Sequence, residues 1–112
     1  MTESFSRLIR ASRKNKGYSQ RELGELVGLD FTYLSKLEND RAEYPPKEEI
    51  IRKIAHHLDL NEEELVFLAG RIPQKEEDLL KQHYQELPTL FRRMRENPEF
   101  ARQVFQQAFK VE

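Results

Sequence analysis

The residues best equipped for chemistry lie in one stretch, Ser19 to Arg41, which reads SQRELGELVGLDFTYLSKLENDR. Read as a helix from about Asp30 to Asn39, its second half turns Leu34 and Leu37 inward. Phe31, Thr32, Ser35, Lys36 and Asn39 then lie on the outer face. The outward groups are an aryl ring, two hydroxyls, an ammonium and an amide. They form no nucleophile–base pair, but they suit the edges of base pairs. Lysine donates to guanine O6 or N7, an aromatic ring packs on a thymine methyl, and the major groove admits one helix. The chemistry predicted is recognition, without bond making.

Other constellations are missing or weak. There are no cysteines, so disulfides, thiolate metal sites and thiol nucleophiles are excluded. His56 and His57 are adjacent and point to different sides of a helix, which rules out a shared metal in the i, i+4 manner. His83 has no ligand partner in view, and Glu62 to Glu64 reads as a helix start. No glycine-rich phosphate loop, paired-carboxylate motif or Ser/His/Asp set stands out. Neither an enzyme, nor a cofactor, nor a metal is expected.

The elements that must position the outward residues are all helical. With four Val and three Thr in the chain, no segment alternates with the period of a strand. A first helix is predicted over about Glu3 to Asn15, with Phe5, Leu8, Ile9 and Ser12 on one face, ending at Gly17. Ser19-Gln20-Arg21-Glu22 is a capping box and opens a second helix that buries Leu23, Leu26 and Val27. Gly28 supplies the left-handed corner of a tight turn, and Gly24 leaves room for two helices to cross closely. Asp30 caps the third helix. Pro46 suits the first turn of a fourth, Lys47 to Leu58, with Ile50, Ile51, Ile54, Ala55 and Leu58 inward. Asn61 with Glu62 to Glu64 opens a fifth that ends near Gly70. Five helices in residues 1–72 make a complete small all-α domain.

Beyond Pro73 the pattern changes, and residues 73–112 read as a helical C-terminal extension. Gln74 to Glu86 is an acidic, then amphipathic, helix; Pro88 resets the chain before Leu90, Phe91 and Met94. Asn97-Pro98 caps a last helix, Glu99 to Phe109. Phe91, Phe100, Phe105 and Phe109 give this tail more aromatic surface than solvent alone calls for. It either packs on its own domain or meets a partner, most simply a second copy, and a homodimer through residues 73–112 is the expectation.

Net charge is −1 over 112 residues. Residues 1–41 hold eight Lys/Arg against six Asp/Glu, giving +2; residues 42–72 hold four against seven, giving −3; residues 73–112 hold seven of each. The positive excess thus falls in the third that holds the candidate reading helix, and a local patch matters more to phosphate than the total. The longest apolar runs, such as Leu65 to Ala69, fall far short of the roughly 20 residues a membrane span needs. The first residues lack a secretory pattern, so the expected location is cytoplasmic.

In combination, Gln20, Glu22-Leu23, Gly28 and Leu34-Ser35-Lys36-Leu37-Glu38-Asn39 resemble the Xre family of helix-turn-helix regulators, the group of the phage lambda and 434 repressors and their Cro proteins. The resemblance spans about residues 5 to 70 and implies a five-helix, lambda-repressor-like domain that binds double-stranded DNA. It implies a phosphate-holding and bracing role for Gln20, base contacts for Phe31 and Thr32, and base or phosphate contact for Lys36. Asn39 and Arg41 match the backbone-contacting loop, and Arg13 with Glu38 a buried ion pair. Arg21, and Lys14 or Lys16, are further phosphate candidates, while Tyr33 either lies on the domain or reaches a phosphate. Gly24 stands where alanine is usual, Asp40 where glycine is common, and Phe31 where a polar residue is. The function implied is a sequence-specific transcriptional regulator, a repressor, reading a two-fold operator as a homodimer. The alternative is a protein-interaction module, such as an antitoxin, or one that holds a regulatory protein partner.

Overall fold

Helix signals of the kind just read recur along the whole chain, and the computed structural model, which describes residues 4–110, has eight α-helices and no strand among them. They fall into two units, Met1–Gln74 and Lys75–Glu112. The first unit holds α1 (Phe5–Lys16), α2 (Gln20–Val27), α3 (Phe31–Glu38), α4 (Glu48–His57) and α5 (Glu62–Leu68). The second holds α6 (Glu77–Gln82), α7 (Leu87–Glu96) and α8 (Pro98–Gln106).

Each helix of the first unit contributes a narrow apolar stripe to one core. Ile9 from α1, Leu23 and Val27 from α2, Leu34 and Leu37 from α3, Ile51, Ile54 and Ala55 from α4, and Leu65 and Val66 from α5 are all buried. Starts are set by side chains that accept from otherwise orphaned amides. Ser4 accepts from Arg7 N, Asn61 accepts from Glu64 N, and Ser19 and Glu22 form the predicted reciprocal box at 3.0 Å each way.

The ends share one device. Gly28 takes φ 78 at the corner between α2 and α3, and Leu29 N returns to Gly24 O at 2.9 Å. Past α3 and α4 the left-handed residue is an aspartate instead: Asp40 and Asp59 both have φ 57. Around Asp40 the bonds Arg41 N to Lys36 O and Asp40 N to Leu37 O complete a Schellman closure. Aspartate tolerates this region better than most L residues, at a cost of roughly 1 kcal/mol. That is the physical reason glycine is common at the position Asp40 occupies.

Several expectations are corrected. Helix α1 begins at Phe5 and runs to Lys16, and Glu3 lies outside the described residues. Leu26 is 44% exposed, because the buried stripe of α2 centres on Leu23, Gly24 and Val27. Asp30 stands at the N-cap of α3, yet its side chain caps no amide. Pro46 precedes the cap of α4, which is Lys47 in extended backbone, so it is not in the first turn. Gln74 to Glu86 is not one helix: a 3-10 turn (Gln74–Glu76) leads into α6, and the chain breaks at His83. Pro88 accounts for the break, since it has no amide and its ring would clash with the carbonyl four residues back; it sits in the first turn of α7. Finally α8 gives way to a 3-10 turn (Gln107–Phe109).

In the second unit Asn97 caps α8 by accepting from Phe100 N, and Arg93 stacks on the Phe100 ring at 4.3 Å. None of its helices buries a side chain completely, and Leu79, Tyr84, Phe91, Phe105 and Phe109 are exposed.

Candidate nucleic-acid interface

Burial of Leu34, Leu37 and Glu38 fixes the rotation of α3, and the remaining faces are thereby turned out. Thr32 and Lys36 are exposed, and Phe31 is 39% exposed. The Phe31 ring is not core. One of its faces is covered by the Arg21 guanidinium, 4.2 Å from the centroid, so the N-terminal ends of α2 and α3 meet through a cation–π stack. Residues Arg21, Phe31, Thr32 and Lys36 are thus all outside the core.

Beneath them lies a buried ionic joint. Arg13 Nε donates to Glu38 Oε2 at 2.7 Å and Arg13 Nη2 to Glu38 Oε1 at 2.9 Å, a two-pronged match. Arg13 Nη1 donates to the Tyr18 carbonyl at 2.8 Å, and Gln20 Nε2 donates to Glu38 Oε1 at 3.1 Å. Glu38, at the end of α3, is therefore held by side chains from α1 and from the start of α2. Gln20 is committed to bracing, with its second amide hydrogen left for another acceptor.

Four other candidates are engaged within the fold. The Asn39 amide donates to the Ser35 carbonyl at 2.8 Å, closing the end of α3, and Ser35 is half-buried. The Tyr33 hydroxyl donates to the Tyr44 carbonyl at 2.9 Å. Burial pushes the Tyr33 phenol above its ordinary range, while the Arg71 charge pulls the other way. Tyr33 thus clamps the loop after α3. Lys16, a phosphate candidate, is paired with Asp59, and each holds the other in its charged form. Lys14 and Arg41 are exposed.

Arg71 was not among the candidates. Its Nε donates to the Pro46 carbonyl at 2.5 Å and its Nη2 to the Pro45 carbonyl at 3.1 Å. A signal existed: two successive prolines bring no amides of their own, so their loop needs donors from elsewhere.

The helix-turn-helix family model matches residues 9–65. Among solved structures the chain resembles a SinR protein/SinI protein complex, at 24% identity and a TM-score of 0.50, over 88% of this chain and 98% of that one. That likeness is one of fold, and with the family match it makes the first unit a five-helix, lambda-repressor-like domain. No curated protein matches the sequence. Among the described residues no helix is long and apolar enough to cross a membrane.

Proposed function

The chain belongs to the helix-turn-helix family of DNA-binding transcription regulators, and from that premise we propose that it is a cytoplasmic, non-catalytic repressor reading a two-fold operator as a homodimer. The observation that carries this reading is the division of α3. Leu34, Leu37 and Glu38 are spent on the core, while Phe31, Thr32 and Lys36 face out, with Arg21 stacked on Phe31. Phe31, Thr32 and Lys36 read base edges, Lys36 through guanine O6 or N7 and Phe31 through a thymine methyl. Arg21, Arg41, Lys14 and the spare hydrogen of Gln20 hold phosphates. Tyr33, Ser35 and Asn39 position the helix end and its loop.

Dimerisation is assigned to the second unit, supported by its helices, which bury no side chain fully and expose Phe91 and Phe105. Two copies then present two α3 helices to half-sites about 34–36 Å apart. The same aromatic surface favours a second reading, in which the unit holds a different regulatory protein; the SinR protein/SinI protein complex supplies the precedent for the fold.

Titrating a fluorescent 30-base-pair duplex of mixed sequence with the protein at rising salt tests DNA binding. The expected result is affinity that falls steeply with salt, since phosphate contacts release counterions. Affinity absent at low salt would leave the protein-holding reading alone.

A further inference from the structure

We infer that Arg71, outside the matched family segment, is a positioning residue for DNA binding: it holds the loop after α3 so that Arg41 meets the phosphate backbone. The inference rests on the proposed backbone contact of Arg41. Three successive carbonyls of this loop, those of Tyr44, Pro45 and Pro46, are captured by two side chains. Tyr33 reaches the first from α3 itself, and Arg71 forks across the other two from just beyond the C-terminal end of α5. Arg71 is fixed in turn at its own backbone, where its amide donates to the Val66 carbonyl at 3.1 Å. Two residues on, Pro73 is buried, and Gln74 N donates to Glu48 Oε1 at 2.9 Å at the start of α4. A strap from Arg71 to Gln74 thus runs against the loop's second half.

Arg41 follows the left-handed Asp40 directly, and its amide returns to Lys36 O. On that side the loop is tied to α3. On the other side, around Pro45 and Pro46, the bonds named above are those from Arg71. A guanidinium suits the task because its planar fork spans two carbonyls at once, which an ammonium on a flexible stem does not. Without the fork the loop gains alternatives, and the guanidinium of Arg41 spends less time where a phosphate would be.

The test measures the salt dependence of binding to the same 30-base-pair duplex for the parent, Arg41→Ala, Arg71→Met and the double variant. Arg41→Ala should reduce the slope by about one unit. Arg71→Met should reduce it nearly as much, and the double variant no further. Arg71→Lys keeps the charge and loses the fork, so it should behave like Arg71→Met; full recovery of the slope would mean that Arg71 touches phosphate itself, and would overturn the inference. Tyr33→Phe, which removes one hydroxyl and leaves the ring packed, should move the slope in the same direction even if Arg71→Met folds poorly. If Arg41→Ala lowers the slope equally with and without Arg71, the residue is merely structural and the inference fails. If Arg41→Ala leaves the parent slope unchanged, the backbone contact it rests on is wrong.

Discussion

At the scale of the residue, the account turns on which side chains the core has claimed. Lys36 and Thr32 are exposed on α3, and the Phe31 ring is held from outside by Arg21. Lys36→Ala should therefore cost roughly 1–3 kcal/mol at one base position and leave non-specific binding nearly unchanged. Phe31→Ala should relax a neighbouring position with little loss of stability, whereas a core phenylalanine would cost about 3–5 kcal/mol. Thermal melts beside binding curves on base-substituted duplexes check both, and an early-melting Phe31→Ala with unaltered base preference would remove Phe31 from the reading surface. Gly24 is a different case. From propensity alone, alanine there should gain roughly 1 kcal/mol of helix stability. The structure reverses the sign, because a Cβ on Gly24 would lie 2.6 Å from the Leu29 carbonyl oxygen, a backbone atom in the turn. Gly24→Ala should lower stability by about 1–3 kcal/mol in a denaturant titration, and a rise would show that the turn can yield. The glycine was legible as a mark of close approach, but not the atom it avoids, since Leu29 O arrives there only through the left-handed Gly28.

At the scale of the element, boundaries marked by a device complete within a few residues were legible at starts and ends alike, and the ends at Gly17 and Gly28 take the left-handed backbone those glycines imply. The Ser19–Glu22 box and the Asn61 and Asn97 caps are local devices, complete within four residues, and each forms as the sequence implies. The ends at Asp40 and Asp59 gave no such sign, because an aspartate in left-handed backbone is chosen by the helix packing on either side of it. The orientation of α3 was legible from Leu34 and Leu37, whereas the duties of Tyr33 and Arg71 depend on loop carbonyls that only the folded chain assembles. The box also carries a pH signature. The Ser19 amide, and after it the Ser19 hydroxyl, hold the Glu22 carboxyl below its ordinary 4.5. A folded-state value depressed in this way adds stability that is present above the unfolded value and is lost as pH falls through the folded one. Melting temperatures from roughly pH 6 down to pH 3 should thus fall more for the parent than for Glu22→Gln, the two curves converging in acid. Parallel curves would mean the carboxylate's charge adds nothing to the cap.

At the scale of the whole molecule, the proposed function divides the labour between the two units, with DNA reading assigned to the first and dimerisation to the second. Phe91→Glu with Phe105→Glu, both at exposed positions, should turn a dimer into a monomer by light scattering at tens of micromolar. A monomeric parent under the same conditions would remove the dimer from the account. The most direct test of the central claim is selection of bound duplexes from a random pool, run in parallel with the parent and with Lys36→Ala. The account predicts a motif of two inverted half-sites spaced by about one helical turn. It further predicts that Lys36→Ala recovers the same motif with the preference lost at one symmetric pair of positions. Pools that stay random after repeated rounds, or identical motifs from both proteins, would contradict the claim that α3 reads the major groove through its outer face.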